Sequence, residues 1–136
     1  MRLEFTQPVT AADTSRRSIS GRVVTWGEQG NTSAGPAVFE PGSLTAAETV
    51  VLRLEHDRTR PLGKAVHLAA NEDGIDGVFR VAKTQAGSDA LIEAAEELRA
   101  GLSVGATVEQ SYLDDDGVMH VTAAEFDEVS LVTHPA

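Results

Sequence analysis

Cysteine is absent from this 136-residue chain, which excludes disulfides, thiolate metal sites and cysteine nucleophiles. Aromatic residues make up only 4%, and the 11 Lys and Arg are outnumbered by 21 Asp and Glu, for a formal net charge of −10. Nucleic-acid binding runs on clustered cations, and single strands are further held by stacking aromatics, so no nucleic-acid partner is expected. The basic residues do gather in one short segment, at Arg53, Arg58, Arg60 and Lys64. Apolar runs are only a few residues long, far short of the roughly 20 that span a bilayer. The N-terminal "MRLEFTQPVT" alternates polar and apolar residues and carries no apolar signal core. A soluble, unexported protein with no membrane partner is therefore expected.

The length suits one domain over residues 1–136 and is enough to build its own core. Strand patterns dominate. Leu3 and Phe5 alternate in a first strand, and "SISGRVVTW" (residues 18–26) is rich in β-branched residues. "AVFEPGSL" breaks at Pro41-Gly42, and Thr45–Glu48 suggests a short helical turn. In "VVLRLEH", Val50, Leu52, Leu54 and His56 fall on one side and Arg53 and Glu55 on the other. An Asp-Arg-Thr-Arg-Pro turn is expected next. Asp73-Gly74 and "LDDDGV" read as hairpin turns, because such turns need positive φ.

One helix stands out in "SDALIEAAEELRAG". Ser88 suits the N-cap, Leu91, Ala94, Ala95 and Leu98 form an apolar stripe, and Gly101 suits the C-terminal stop. Beyond it Leu102, Val104, Ala106 and Val108 alternate with Ser103, Gly105, Thr107 and Glu109 as in a strand. One strong helix among many strands predicts a mainly β, α+β fold, built as a barrel or a strongly bent sheet.

Three residues carry candidate chemistry. Ser103 lies opposite the apolar set of its strand, and Gly101 and Gly105 leave room beside it for a peptide; the same pattern also describes a solvated strand serine. His56 ends a strand on its apolar side, where a shielded imidazole, ionising near pH 6.5, suits a general base; a histidine satisfied by a turn carbonyl reads the same way. Glu128 in "FDEVSLV" points away from Val129 and Leu131, and could steady an imidazolium or simply face solvent. Metal binding is not expected, since His56, His67, His120 and His134 are dispersed and Asp114–Asp116 lacks the downstream glutamate of a calcium loop.

Taken together, "LEHDRTRPLGKAVHLAANEDGIDGVFRV", "AGLSVGA" and "EVSLVTHPA" resemble the capsid-maturation (prohead) serine proteases of tailed phages, a family similar to the herpesvirus assemblins. The resemblance runs from about residue 39 onward, and its most specific part is the terminal "EVSLVTHPA". It implies a compact, closed or partly closed antiparallel β-barrel flanked by helices. It also implies a serine endopeptidase needing no cofactor, with Ser103 as nucleophile, His56 as base and Glu128 as third member. Glu28 is the alternative acid, because some relatives draw theirs from upstream of the histidine. The implied substrates are scaffold or capsid-protein delta segments and the protease itself, inside the assembling procapsid in the host cytoplasm. A homodimer is implied by the likeness to assemblins, and a catalytically inactive capsid-assembly module is the alternative function. Assemblins follow the last strand with an oxyanion-holding arginine pair, whereas this chain reads Thr133-His134-Pro135, leaving backbone N–H groups near Val104 and Gly105 for that task. Family members often continue past this Pro-Ala into a tail or the capsid protein, so a trimmed or self-processed form is among the expectations.

Overall fold

The computed structural model describes residues 1–133. Nine strands are formed: β1 (Arg2–Asp13), β2 (Ser18–Thr25), β3 (Gly30–Thr32), β4 (Gly35–Phe39), β5 (Leu44–Leu54), β6 (Asp57–Ala70), β7 (Gly74–Val81), β8 (Gly101–Leu113) and β9 (Met119–Val132). The helix α1 (Gln85–Ala95) lies between β7 and β8. Hydrogen-bonded neighbours run β9-β5-β6-β7-β2-β1-β8, and β8 returns to β9, closing a seven-stranded barrel. The β3–β4 hairpin is appended to β9.

Strand alternation fills the barrel. Ile19 and Val23 of β2, Phe79 and Val81 of β7, Leu102, Val104 and Ala106 of β8, and Phe126, Val129 and Leu131 of β9 are all buried in one core. Burying such side chains stabilises by about 1.5–3 kcal/mol each relative to exposure. Strand β9 slips register against β8 part-way along their seam. Gly105 pairs with Glu128 but Ala106 pairs with Phe126, so Asp127 is an extra, bulged residue. The bulge changes the phase of the strand, so Phe126 and Val129 both face inward while Glu128 and Ser130 face outward beside Ser103.

The expected barrel is present, with local differences. Its seam between β5 and β9 is parallel, as is the β4–β9 pairing, while the other seams are antiparallel. One helix accompanies the barrel among the described residues. That helix starts earlier than expected, because the Thr84 side chain accepts from the Gly87 N–H at 2.9 Å and takes the N-cap role assigned to Ser88. It also ends earlier, through Glu96 and a left-handed Glu97 (φ 60°), so Gly101 opens β8 instead of stopping the helix. Gly87, Ala90, Leu91 and Ala94 form the buried face, whereas Ala95 and Leu98 are exposed.

Thr45–Glu48 belongs to β5, not to a helical turn. Asp57–Pro61 likewise belongs to β6, since the chain reverses one step earlier, at Glu55–His56. Gly74 is required by a close approach and not by positive φ: a Cβ there would lie 1.9 Å from the Val24 carbonyl oxygen. The turn before it is held by Asn71, whose Oδ1 accepts from the Asp73 and Gly74 N–H groups at 2.8 and 3.1 Å.

Candidate active site

Two strand positions and one turn converge on the outer face of the barrel. Ser103 on β8 and Ser130 on β9 are register partners, as are Gly105 and Glu128 one step along the same side. Ser103 is only 4% exposed and Glu128 only 1%. The whole segment from Gly101 to Ala106 is buried, because its outer face is covered by the site itself.

His56 reaches that face through backbone strain. Simple alternation along β5 would send it inward with Leu52 and Leu54, away from Ser103. Instead Leu54 pairs with Asp57 across a two-residue turn, with Glu55 at φ 49° and His56 at φ 60°. Both left-handed residues carry side chains, where such turns usually hold Asn-Gly; each costs on the order of 1 kcal/mol or more. The turn is held by backbone N–H groups, Glu55 donating to the Leu131 carbonyl at 3.1 Å and His56 to Ser130 Oγ at 2.9 Å. The Glu55 carboxylate is tied in turn to the Thr133 N–H at 2.9 Å and to Arg99.

The result is a continuous chain of contacts. His56 Nε2 lies 2.8 Å from Ser103 Oγ, and His56 Nδ1 lies 2.8 Å from Glu128 Oε1. An ionised carboxylate only accepts, so Nδ1 of the neutral ring carries the hydrogen and Nε2 offers its lone pair to the serine hydroxyl. Ser130 Oγ donates to Glu128 Oε1, and Arg2 Nη2 donates to Glu128 Oε2 at 2.9 Å. A buried carboxylate needs such company, since desolvating an unpaired charge is costly.

The opening expected beside Ser103 is partly occupied. A Cβ on Gly105 would stand 2.2 Å from Arg2 Nη2 and 2.5 Å from Glu128 Oε2, so this glycine makes room for the Arg2–Glu128 ion pair and not for a peptide. Val104 and Gly105 are paired on both sides, with β1 and β9. The Thr133-His134-Pro135 segment, where assemblins carry arginines, falls largely on residues 134–136, outside the described ones.

Glu28 lies exposed in the segment between β2 and β3 and forms no hydrogen bond or ion pair with His56 among the described residues. Glu4 does: its Oε2 lies 3.2 Å from His56 Nδ1, giving the imidazole a second carboxylate neighbour. Sequence reasoning missed Arg2, Glu4 and Ser130. A signal was available for all three, because each lies opposite core residues in an alternating strand, yet only the register of β1, β8 and β9 brings them to one place.

His120 forms a separate cluster, with Nδ1 2.8 Å from Glu40 Oε1 and Nε2 2.9 Å from Asp114 Oδ2, while its ring stacks on Tyr112. These two carboxylates hold its pKa above the ordinary 6.5, Glu40 contributing most. Asp114 is held below the ordinary carboxylate value by the His120 contact and by the Val118 N–H. The Asp114–Asp116 segment is the hairpin turn expected from the sequence, with Gly117 at φ 79°.

Comparison with known families decides the class of the protein. A model of the caudovirus prohead serine proteases matches residues 6–136. The chain belongs to that family. The match covers His56, Ser103 and Glu128 and begins beyond Arg2 and Glu4. No curated protein and no solved structure was found to match the chain. Membership in the prohead protease family gives a role in phage capsid maturation, within the procapsid, and makes capsid or scaffold proteins the implied substrates.

Proposed function

We propose that the protein is a serine endopeptidase that cleaves scaffold or capsid-protein delta segments, and itself, during prohead maturation, with Ser103, His56 and Glu128 as its triad. The observation that carries this reading is the unbroken Ser103–His56–Glu128 contact chain, with both links at 2.8 Å. Serine is a weak nucleophile alone, and a base within hydrogen-bond reach is what activates it.

In the first half of the reaction Ser103 Oγ attacks the scissile carbonyl while His56 Nε2 takes the hydroxyl proton. Collapse of the tetrahedral intermediate breaks the C–N bond, and His56 returns that proton to the leaving amine, leaving an ester on Ser103. Water then repeats the sequence, giving its proton to His56 and freeing the acid product and Ser103. Glu128 fixes the Nδ1–H tautomer and stabilises the imidazolium formed in each half. Ser130 and Arg2 hold Glu128 in orientation. Such an intact constellation also disfavours a purely structural module, which has no use for a strained histidine turn aimed at a buried serine.

The test is cleavage of a scaffold-containing capsid-protein substrate. Wild-type protein should process it and Ser103→Ala should not. Processing by Ser103→Ala at the wild-type rate would remove Ser103 as nucleophile.

A further inference from the structure

The outward residues around Ser103 form registered rows that continue past the triad. One row runs Thr6, Ser103, Ser130, Arg53 and Pro61 across β1, β8, β9, β5 and β6. The next runs Glu4, Gly105, Glu128, Val51, Lys64 and Arg80, ending on β7. Where these rows reach β5–β7 the surface sinks into a trough of about 510 Å³. Its walls are apolar, from Val51, Pro61, Leu62 and Ala82, and Lys64 and Arg80 stand among them. That volume lies in the range of ordinary ligand sites, about 300–1,000 Å³.

The charge here is unlike the rest of the protein, whose net charge is −10. Arg2, Arg16, Arg22, Arg60 and Arg99 pair with carboxylates. Among the described residues Arg17, Arg53, Arg58, Lys64, Arg80 and Lys83 form no ion pair, and Arg17 is instead bonded to the Val81 and Ala82 carbonyls and Ser88. Lys64 and Arg80 line the trough, Arg53 is the register partner of Pro61, and Lys83 lines an adjoining depression with Arg16 and Arg17. Two of the six unpaired cations thus line one apolar depression, and a third, Arg53, stands between it and Ser103 in the same registered row.

We infer that this trough is a substrate subsite that takes an apolar side chain flanked by Asp or Glu. The inference rests on the protease reading. Pro61 lies three strands from Ser103, about 14 Å at the usual inter-strand spacing, and an extended peptide covers that in about four residues. The anchor residue therefore sits about four positions from the scissile bond, with the chain crossing Arg53 on the way.

The experiment is digestion of a proteome-derived peptide library by the wild type, by Ser103→Ala and by the double variant Lys64→Glu/Arg80→Glu, read by mass spectrometry. Steady-state kinetics on the best peptide complete it. Both changed residues are exposed, so the double variant should fold as the wild type does. Wild-type cuts should be enriched in an apolar residue three to five positions from the scissile bond with an acidic neighbour. In the double variant KM for those peptides should rise about tenfold at low salt with kcat held, since exposed charge pairs are individually weak and screened. No enrichment, or an unchanged KM in the double variant, overturns the subsite while leaving the protease reading in place. A wild-type dimer that the double variant dissolves would assign the trough to a second copy of the chain and also overturn it. A wild type that cuts nothing, or cuts no faster than Ser103→Ala, removes the protease reading and the subsite with it.

Discussion

Replacing Gly105 with alanine tests how the buried carboxylate is held without touching Ser103 or His56. The new Cβ would stand 2.2 Å from Arg2 Nη2 and 2.5 Å from Glu128 Oε2. Carbon and oxygen atoms normally keep about 3.5 Å apart, so each partner must retreat by about 1 Å. Arg2, with a half-exposed side chain, can swing into solvent; Glu128 is enclosed and cannot. Its carboxylate must tilt about Oε1, which is bonded to His56 Nδ1 at 2.8 Å, and it loses the Arg2 partner as it does so. Overpacking of this size costs about 1–3 kcal/mol of stability. A misplacement of about 1 Å in a reacting array can cost up to about 100-fold in rate. Urea denaturation and the rate of labelling by a fluorophosphonate, run on the same preparations, separate the two effects. The expected variant is folded, slightly less stable, and labelled about 10- to 100-fold more slowly. Wild-type stability together with a wild-type labelling rate would refute the placement of the Arg2–Glu128 pair against Gly105.

Other outcomes rest on the same geometry. Glu128→Gln should slow turnover more than it weakens folding, and adding Glu4→Gln should slow it further than Glu4→Gln does alone, because Glu4 is the remaining carboxylate at Nδ1; strictly additive rates in that double-mutant cycle would discount Glu4. Ser130→Ala should cost about 1–3 kcal/mol in thermal or urea unfolding, because it strands the His56 N–H and removes a donor to buried Glu128; an unchanged midpoint would contradict those bonds. The His120 cluster contributes stability while the ring is protonated, fully below the ordinary 6.5, and loses it as pH rises through its raised folded value. Melting temperature should therefore fall as pH is raised above about 6.5, and His120→Gln should flatten that slope; identical slopes would count against the cluster.

The sequence disclosed the barrel because alternation writes itself into β2, β7, β8 and β9, where each inward residue is apolar. It also placed Ser103 and Glu128 on the outward side of their strands. His56 was different: continuing the β5 alternation sends it inward, and only two consecutive left-handed residues without glycine bring it round. Nothing in "LEHDRT" advertises that turn, since its stabilising bonds come from Leu131, Ser130 and Arg99, far along the chain. The helix limits were missed because Thr84 outcompetes Ser88 as cap and Glu97 takes a conformation usually left to glycine. Arg2 and Glu4 stayed hidden because the β1–β8 register, a long-range fact, is what delivers them to the site.

The central claim is that His56 activates Ser103. Intact-protein and peptide mass spectrometry after exposure to a fluorophosphonate tests it most directly. Ser103 Oγ should displace fluoride from phosphorus, giving one adduct on the tryptic peptide that holds Ser103. His56→Ala should lose at least about a hundredfold of the labelling rate, within the usual contribution of a general base. An adduct on a different residue, or labelling of His56→Ala as fast as the wild type, would contradict the account.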